Sequence, residues 1–334
     1  MLSKSKIAVI GGGSWATALT KILLNNIQSI DWWVRREETA EHIRTFGHNP
    51  NYISSIEFDQ QKLNVSTNLK ETIKDSDVLF LVIPSAFLHS EFVRAKITAE
   101  DLKDKIIISA IKGIIPEFTL IPAAYLNDQF GVEYNNMAIV AGPCHAEEVA
   151  HERLSYLTIA TPTRGRAYAI GDLLKCRYIN VNRNDDLVGT EYSAIMKNIY
   201  AIAAGMCFGI GYGDNFMAVL LSNAIRETEQ FVDYVYPKHR DVKTSAYLGD
   251  LLVTAYSQYS RNRTFGNMIG KGYSVKFAKL EMKMVAEGYY ASKCVNDIQK
   301  KFELNLPIAD AVYQCLYNGK NPKKTFKSIQ GLLK

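Results

Sequence analysis

A lysine inside an apolar, helix-like run is the first residue of this sequence that calls for a chemical role. Lys197, followed by Asn198, interrupts residues 188–206, and Ile195, Met196, Ile199, Ile202 and Ala203 surround it. A lysine in such company snorkels to water, pairs with an acid, or does chemistry through a shifted pKa. Farther on, Asp250 and Thr254 stand four apart, on one face of a predicted helix. Ser260, Arg261, Asn262 and Arg263 follow at the end of that helix. An arginine fork beside an amide and a hydroxyl suits a phosphate monoester. Taken singly, these segments read equally as a snorkelling lysine and an ordinary polar helix end.

A second constellation opens the chain. In KIAVIGGGSWATALT, Gly11-x-Gly13-x-x-Ala16 follows a strand-like run and starts a helix. Gly11 permits the tight turn, Gly13 lets the backbone approach a pyrophosphate, and the small Ala16 lets helix pack on strand. The free N–H groups of the helix start, around Ser14 and Trp15, then face the phosphates. Strand before and helix after raise this motif above a chance glycine turn. In sites that prefer NAD, an acid about 20 positions on binds the ribose hydroxyls. Here the second strand ends in Val34-Arg35-Arg36, two arginines suited to a 2′-phosphate. NADPH is therefore expected over NADH, with Glu37 and Glu38 keeping NADH open.

These residues need elements to hold them. Short apolar runs at 6–10, 30–34, 62–67, 77–83, 106–111 and 137–140 predict strands, with 156–160 and 178–181 as further edge strands. Helical spacing between them, as at 14–25, predicts a parallel sheet with helices on both faces. Beyond residue 187 helical periodicity takes over, at 188–206, 214–236, 244–259, 274–287 and 291–302. The expected fold is α/β: an N-terminal Rossmann-like, doubly wound dinucleotide-binding domain over 1–187, then an all-α substrate-binding domain over 188–334.

Composition narrows the classes. A chain of 334 residues with 47% hydrophobic and 22% charged residues has material for two cores. The net charge of +5 fits an anionic small substrate, and the basic residues form no stripe that would suit nucleic acid. Cys144, Cys176, Cys207, Cys294 and Cys315 are odd in number and widely spaced, which predicts neither disulfides nor a metal site, and a reducing compartment. Residues 7–10 are too short for a signal-peptide core, and Lys197 and Asn198 break the apolar stretch 195–208. A cytoplasmic protein with no membrane helix is expected.

Several segments in order resemble the NAD(P)-dependent glycerol-3-phosphate dehydrogenase family of bacterial type. They are GGGSWATAL, IKGI at 111–114, AGPCHAEE at 141–148, MKNIYAIAAG at 196–205, GYGDN at 211–215, GDLLVT at 249–254 and SRNRTFG at 260–266. The resemblance implies reversible reduction of dihydroxyacetone phosphate to glycerol 3-phosphate for phospholipid synthesis. It implies that Gly11, Gly13, Ser14, Trp15, Arg35, Arg36 and Ala146 contact the dinucleotide, with Val285 and Glu287 as a late cofactor-binding pair. It places Lys112 between cofactor and substrate, Gly142 and Cys144 against the substrate, and Lys197 as proton donor and acceptor. Asp250, Ser260, Arg261 and Asn262 would complete the substrate site, Arg261 also nearing the cofactor. A homodimer is compatible with the family.

The chain departs from the family at Ala16, where glycine is usual, and at Cys144, where serine is usual and a thiol is the weaker donor. A proline usual after the tyrosine near Tyr52 is also missing. The rival readings are a 3-hydroxyacid or 6-phosphogluconate type of dehydrogenase with the same two-domain build, and a non-catalytic NADP-sensing protein. The SRN and GDLLVT segments favour the glycerol phosphate enzyme over the former; Lys112, Lys197, Asp250 and Arg261 together disfavour the latter.

Overall fold

The computed structural model describes residues 2–282 and 286–334. Its contacts divide the chain into two units, Met1–Ile111 with Leu120–Leu187, and Lys112–Thr119 with Val188–Lys334.

In the first unit, eight strands form one sheet: β1 (Ile7–Ile10), β2 (Ile30–Trp33), β3 (Leu63–Ser66), β4 (Val78–Leu81), β5 (Ile106–Ser109), β6 (Met137–Ala141), β7 (Ser155–Ala160) and β8 (Ile179–Asn184). Their order is β3-β2-β1-β4-β5-β6-β7-β8. Every pairing is parallel except β6 with β7. This is the doubly wound α/β fold expected from the alternation of strands and helices. IAVI in β1 and VLFL in β4 are buried throughout, as strands covered on both faces must be. Strand order reverses between β1 and β4, so a crevice opens at the carboxyl ends of those two strands, the position where such sheets bind ligands.

One strand expectation is corrected. β7 was expected at an edge but lies inside the sheet, between β6 and β8. Leu157, Ile159 and Ala160 are fully buried there. The edge falls to β8, whose polar INVNRN sequence is only partly buried.

The second unit is built on one long helix, Leu187–Ile210, here called the lysine helix. It is long and apolar enough to cross a membrane by length and composition. The helix expected over 188–206 runs through Lys197 and Asn198, which were expected to interrupt only its apolar stretch. Most of it is buried within the protein, as befits a helix apolar all round in a globular core.

Glycines set what packs on the lysine helix. Gly205 and Gly209 share one face and meet the backbone of Arg263, Asn267 and Gly270 on helix Arg261–Gly270, the arginine helix, whose Gly266 and Gly270 in turn meet the backbone of Ile202 and Met206. A Cβ on Gly205 would stand 2.1 Å from the Arg263 carbonyl oxygen, and one on Gly266 2.1 Å from that of Ile202. The two backbones therefore touch, a contact that no other side chain allows. Another tie runs through Tyr200, which donates 3.1 Å to the buried Glu227; that carboxylate accepts from the amides of Ile308 (2.7 Å) and Ala309 (3.2 Å). The contact caps helix Pro307–Tyr317.

The expected helix at 244–259 is instead a π-helical turn, Ser245–Gly249, followed by helix Asp250–Tyr256. Single π turns of this kind recur at functional sites. Residues 261 and 262 do not end a helix, as the sequence suggested. They begin the arginine helix, because the Ser260 hydroxyl accepts from the Arg263 amide (3.2 Å) and caps a new start. The helix expected over 274–287 spans Val275–Glu281, and Glu287 opens the next helix, Glu287–Lys301.

Candidate active site

In the second unit, four expected residues converge on one carboxylate or its neighbours. Lys197 projects from the middle of the lysine helix and is 5% exposed; Asp250, the first residue of its helix, is 1% exposed. The Lys197 ammonium donates to Asp250 Oδ1 and, at 3.0 Å, to the Thr254 hydroxyl. Thr254 in turn donates 2.6 Å to the Asp250 carbonyl, one helical turn back. Lys112 reaches the other carboxylate oxygen at 3.1 Å. One anion thus faces two cations.

The electrostatics follow from burial. Loss of solvent favours neutral Lys197, the Asp250 carboxylate pulls the other way, and Lys112 adds repulsion; the balance brings Lys197 down to about 7. Burial also opposes ionisation of Asp250, but attraction to Lys112 and Lys197 outweighs it and holds the carboxyl below its usual range. A protonated lysine has three N–H bonds. Among the described residues Asp250 and Thr254 take two of them, which leaves one for a substrate oxygen.

A second line of hydrogen bonds runs beside the first. Asn198 donates 2.6 Å to the Lys112 carbonyl. Its own side-chain oxygen accepts from Asn262 at 2.9 Å, and the Asn262 oxygen accepts from the Gly288 amide at 2.9 Å. Asn262 is thereby a bridge between the lysine helix and the helix that Glu287 begins. Gly288 is required at that contact, since a Cβ there would stand 2.6 Å from the Asn198 carbonyl oxygen. Ser260 is buried as the cap, whereas Arg261, at the first turn of the arginine helix, is exposed. Val285 lies outside the described residues.

The first unit carries the remaining expected residues. Gly11 follows β1 with φ of 141°, and a Cβ on it would stand 2.4 Å from the Val82 carbonyl oxygen, just past β4. Gly13 is the N-cap of helix Ser14–Leu23, and a Cβ there would meet nothing within 4 Å. The loop is thus tight on its inner side and open on its outer side. Trp32 Nε1 donates 2.7 Å to the Gly11 carbonyl, and the fully buried Asn49 donates 3.0 Å to that of Gly12 and 3.0 Å to the Thr17 hydroxyl. Asn49 had no motif to announce it; a lone asparagine in a loop carries no periodic signal.

This cradle fits a dinucleotide. No side chain caps the first turn, so its amides are free for a pyrophosphate, and the Trp15 indole N–H is buried without a partner among the described residues. Arg35 follows β2 and stands 3.8 Å from Glu91; Arg36 is the exposed N-cap of helix Glu37–Phe46. Gly142 and Cys144 lie in the turn after β6, and Ala146 starts helix Ala146–Ala150. Among the described residues no group of three or more histidine, cysteine or acidic side chains could hold a metal ion.

Known proteins carry the same pattern. Family models match twice: the N-terminal part of NAD-dependent glycerol-3-phosphate dehydrogenase over residues 6–167, and its C-terminal part over residues 186–327. A glycerol-3-phosphate dehydrogenase [NAD(P)+] of Salinibacter ruber is 34% identical, over 96% of this chain and 92% of its own length. One of Bacillus velezensis is 30% identical, over 98% and 95%. The crystal structure of glycerol-3-phosphate dehydrogenase from Coxiella burnetii matches with a TM-score of 0.90 at 26% identity, covering 98% of this chain and 99% of that one. The chain therefore belongs to the NAD(P)-dependent glycerol-3-phosphate dehydrogenase family.

Proposed function

We propose that the protein interconverts dihydroxyacetone phosphate and glycerol 3-phosphate, with Lys197 moving the proton. The observation that carries this reading is the buried contact of Lys197 with Asp250 and Thr254, with a third N–H left over. A nicotinamide cofactor held by the glycine-loop cradle of Gly11 and Gly13 would supply the hydride in one direction and accept it in the other.

In the reductive direction, negative charge grows on the carbonyl oxygen of the ketone. The spare N–H of Lys197 meets that oxygen and transfers its proton, a step typically worth about 10²–10⁴-fold. Lys112 adds a fixed positive charge beside the same carboxylate, and preorganised charge of this kind needs no reorganisation as the reaction proceeds. Asn198 orients the Lys112 backbone. After transfer, neutral Lys197 is stable where it stands because burial already favours that form. In the oxidative direction neutral Lys197 takes the hydroxyl proton.

Arg261 is the assigned grip on the phosphate, aided by the amides of the arginine helix at 261 and 262. Asn262 acts chiefly through Asn198 and Gly288, to which its amide is committed. Ser260 holds the helix start, and Gly142 and Cys144 are assigned to the substrate. Gly11, Gly13, Ser14, Trp15, Arg35, Arg36 and Ala146 are assigned to the dinucleotide, with Val285 and Glu287, and NADPH is favoured over NADH. Residues 1–187 thus carry most of the groups assigned to the cofactor and 188–334 most of those assigned to the substrate, with Gly142 and Cys144 on one side and Val285 and Glu287 on the other as the exceptions. The product would feed phospholipid synthesis in the cytoplasm.

The test is a spectrophotometric assay of NADPH and NADH consumption with dihydroxyacetone phosphate beside 3-keto acids and unphosphorylated dihydroxyacetone. Turnover confined to the phosphorylated ketone is expected; turnover of the acids alone would overturn the reading.

A further inference from the structure

A cavity of about 460 Å³ lies beyond β2 and β3 in the first unit, lined by Arg35, Glu37, Thr67, Asn68, Lys70 and Arg94 among others. Its cations are organised rather than scattered. Glu91, on helix Ser85–Arg94 and only 6% exposed, places one carboxylate oxygen 3.8 Å from Arg35 and bonds Arg94 through the other. A guanidinium has five N–H donors, so each arginine keeps most of its donors after meeting Glu91. Lys70 contributes field only, since its ammonium is turned to Asp101 (3.2 Å) and to the Lys96 carbonyl (2.8 Å).

The acid in the cavity wall is occupied. Glu37 accepts 2.7 Å from Arg44 through Oε1 and 2.6 Å from Thr67 through Oε2. The Thr67 hydrogen bond, then Arg44, holds its carboxyl below the usual range. Glu37 is, with Glu38, one of the two acids that the sequence leaves open for the ribose hydroxyls of an unphosphorylated dinucleotide. Each of its oxygens already accepts one hydrogen bond, and the Arg44 guanidinium offsets its charge, which weakens it as an acceptor for ribose hydroxyls.

We propose that Arg35 and Arg94, anchored together on Glu91, form a subsite for the 2′-phosphate of the adenosine half, and that Thr67 and Arg44 enforce the choice by engaging Glu37. The inference rests on the cofactor reading given above and adds to it the residues that discriminate. Arg94, Glu91, Thr67 and Arg44 are specificity-determining or positioning residues outside the glycine-loop motif.

Titration calorimetry on the full chain with 2′,5′-ADP and 5′-ADP tests the subsite directly. Wild type should bind 2′,5′-ADP at least about tenfold tighter, the worth of one charge-assisted contact to phosphate. Arg94→Gln, at an exposed position that folding tolerates, should bring that preference within about threefold. Thr67→Val should raise kcat/KM for NADH relative to NADPH by freeing one Glu37 oxygen. Equal binding of the two nucleotides by wild type, or an undiminished preference in Arg94→Gln, overturns the subsite even if dihydroxyacetone phosphate is reduced. The nucleotide preference and its loss in Arg94→Gln, found in a protein that reduces no phosphorylated ketone, would support the subsite while the assigned activity failed.

Discussion

Lys197 and Asp250 form an ion pair in which neither partner reaches water: the lysine is 5% and the aspartate 1% exposed. Removing two charges from solvent is costly, and a buried pair often adds no stability over apolar residues of the same size. The pair is better explained by what it does to protonation. Burial lowers the lysine, the carboxylate restrains the fall, and Lys197 comes to rest at about 7, where acid and base forms coexist.

The pH dependence then has opposite signs in the two directions. Reduction needs protonated Lys197, present below about 7 and lost as pH rises through that value. Oxidation needs the neutral form, absent below about 7 and gained as pH rises. Profiles of kcat/KM from pH 5.5 to 9.5 should therefore fall for the ketone and climb for the alcohol, with inflections near each other. Parallel profiles would exclude Lys197 as the titrating group.

Asp250→Asn removes the charge that, among the described residues, raises Lys197, leaving burial and the Lys112 charge to act together. The falling limb of the reduction profile should move to lower pH by about a unit or more, as expected for an opposite charge within a few ångströms. Reduction at pH 7.5 should drop roughly eightfold or more, because a fall of one unit from about 7 removes about that share of the protonated form at this pH. An unmoved limb would mean that Asp250 does not control the lysine.

Arg261 is exposed at the start of its helix, unlike the buried residues around Lys197. Arg261→Ala should raise KM for the phosphorylated ketone roughly 10–100-fold, with kcat reduced less, because the lost contact is to the remote phosphate. Steady-state kinetics with NADPH saturating would detect this, and an unchanged KM would remove Arg261 from the phosphate site.

Gly266→Ala tests the packing that positions the site. Its new methyl would be forced onto the Ile202 carbonyl, so a loss of about 3 kcal/mol or more is expected, at the upper end of overpacking costs. Gly165→Ala is the control: helix Arg164–Leu174 has open space around Gly165, and the change should be neutral or stabilise by about 0.5–1 kcal/mol. Chemical denaturation of both variants gives the comparison. Equal stabilities would show that the lysine and arginine helices can separate at no cost.

What sequence could reveal depended on how local each feature was. The glycine loop was legible because turn, cradle and helix start lie within Gly11–Ala16 and obey known spacing. Lys197 was conspicuous as a charge in an apolar run, but its partners Asp250 and Lys112 could be put in its site only through the family resemblance, since tertiary packing brings them to it. The arginine helix was missed because Gly266 and Gly270 weaken its helical signal. Those glycines make sense only against Gly205 and Gly209, a relationship between helices that no single segment contains. Asn49 and the Thr67–Glu37–Arg44 contact escaped for the same reason.

The central claim is that the amine at position 197 moves the proton, and turnover of Lys197→Ala tests it most directly. With NADPH binding first verified by fluorescence titration, the variant should reduce dihydroxyacetone phosphate at no more than about a hundredth of the wild-type kcat, the lower bound of general acid catalysis. A variant that binds cofactor normally and keeps more than about a tenth of wild-type turnover would contradict it.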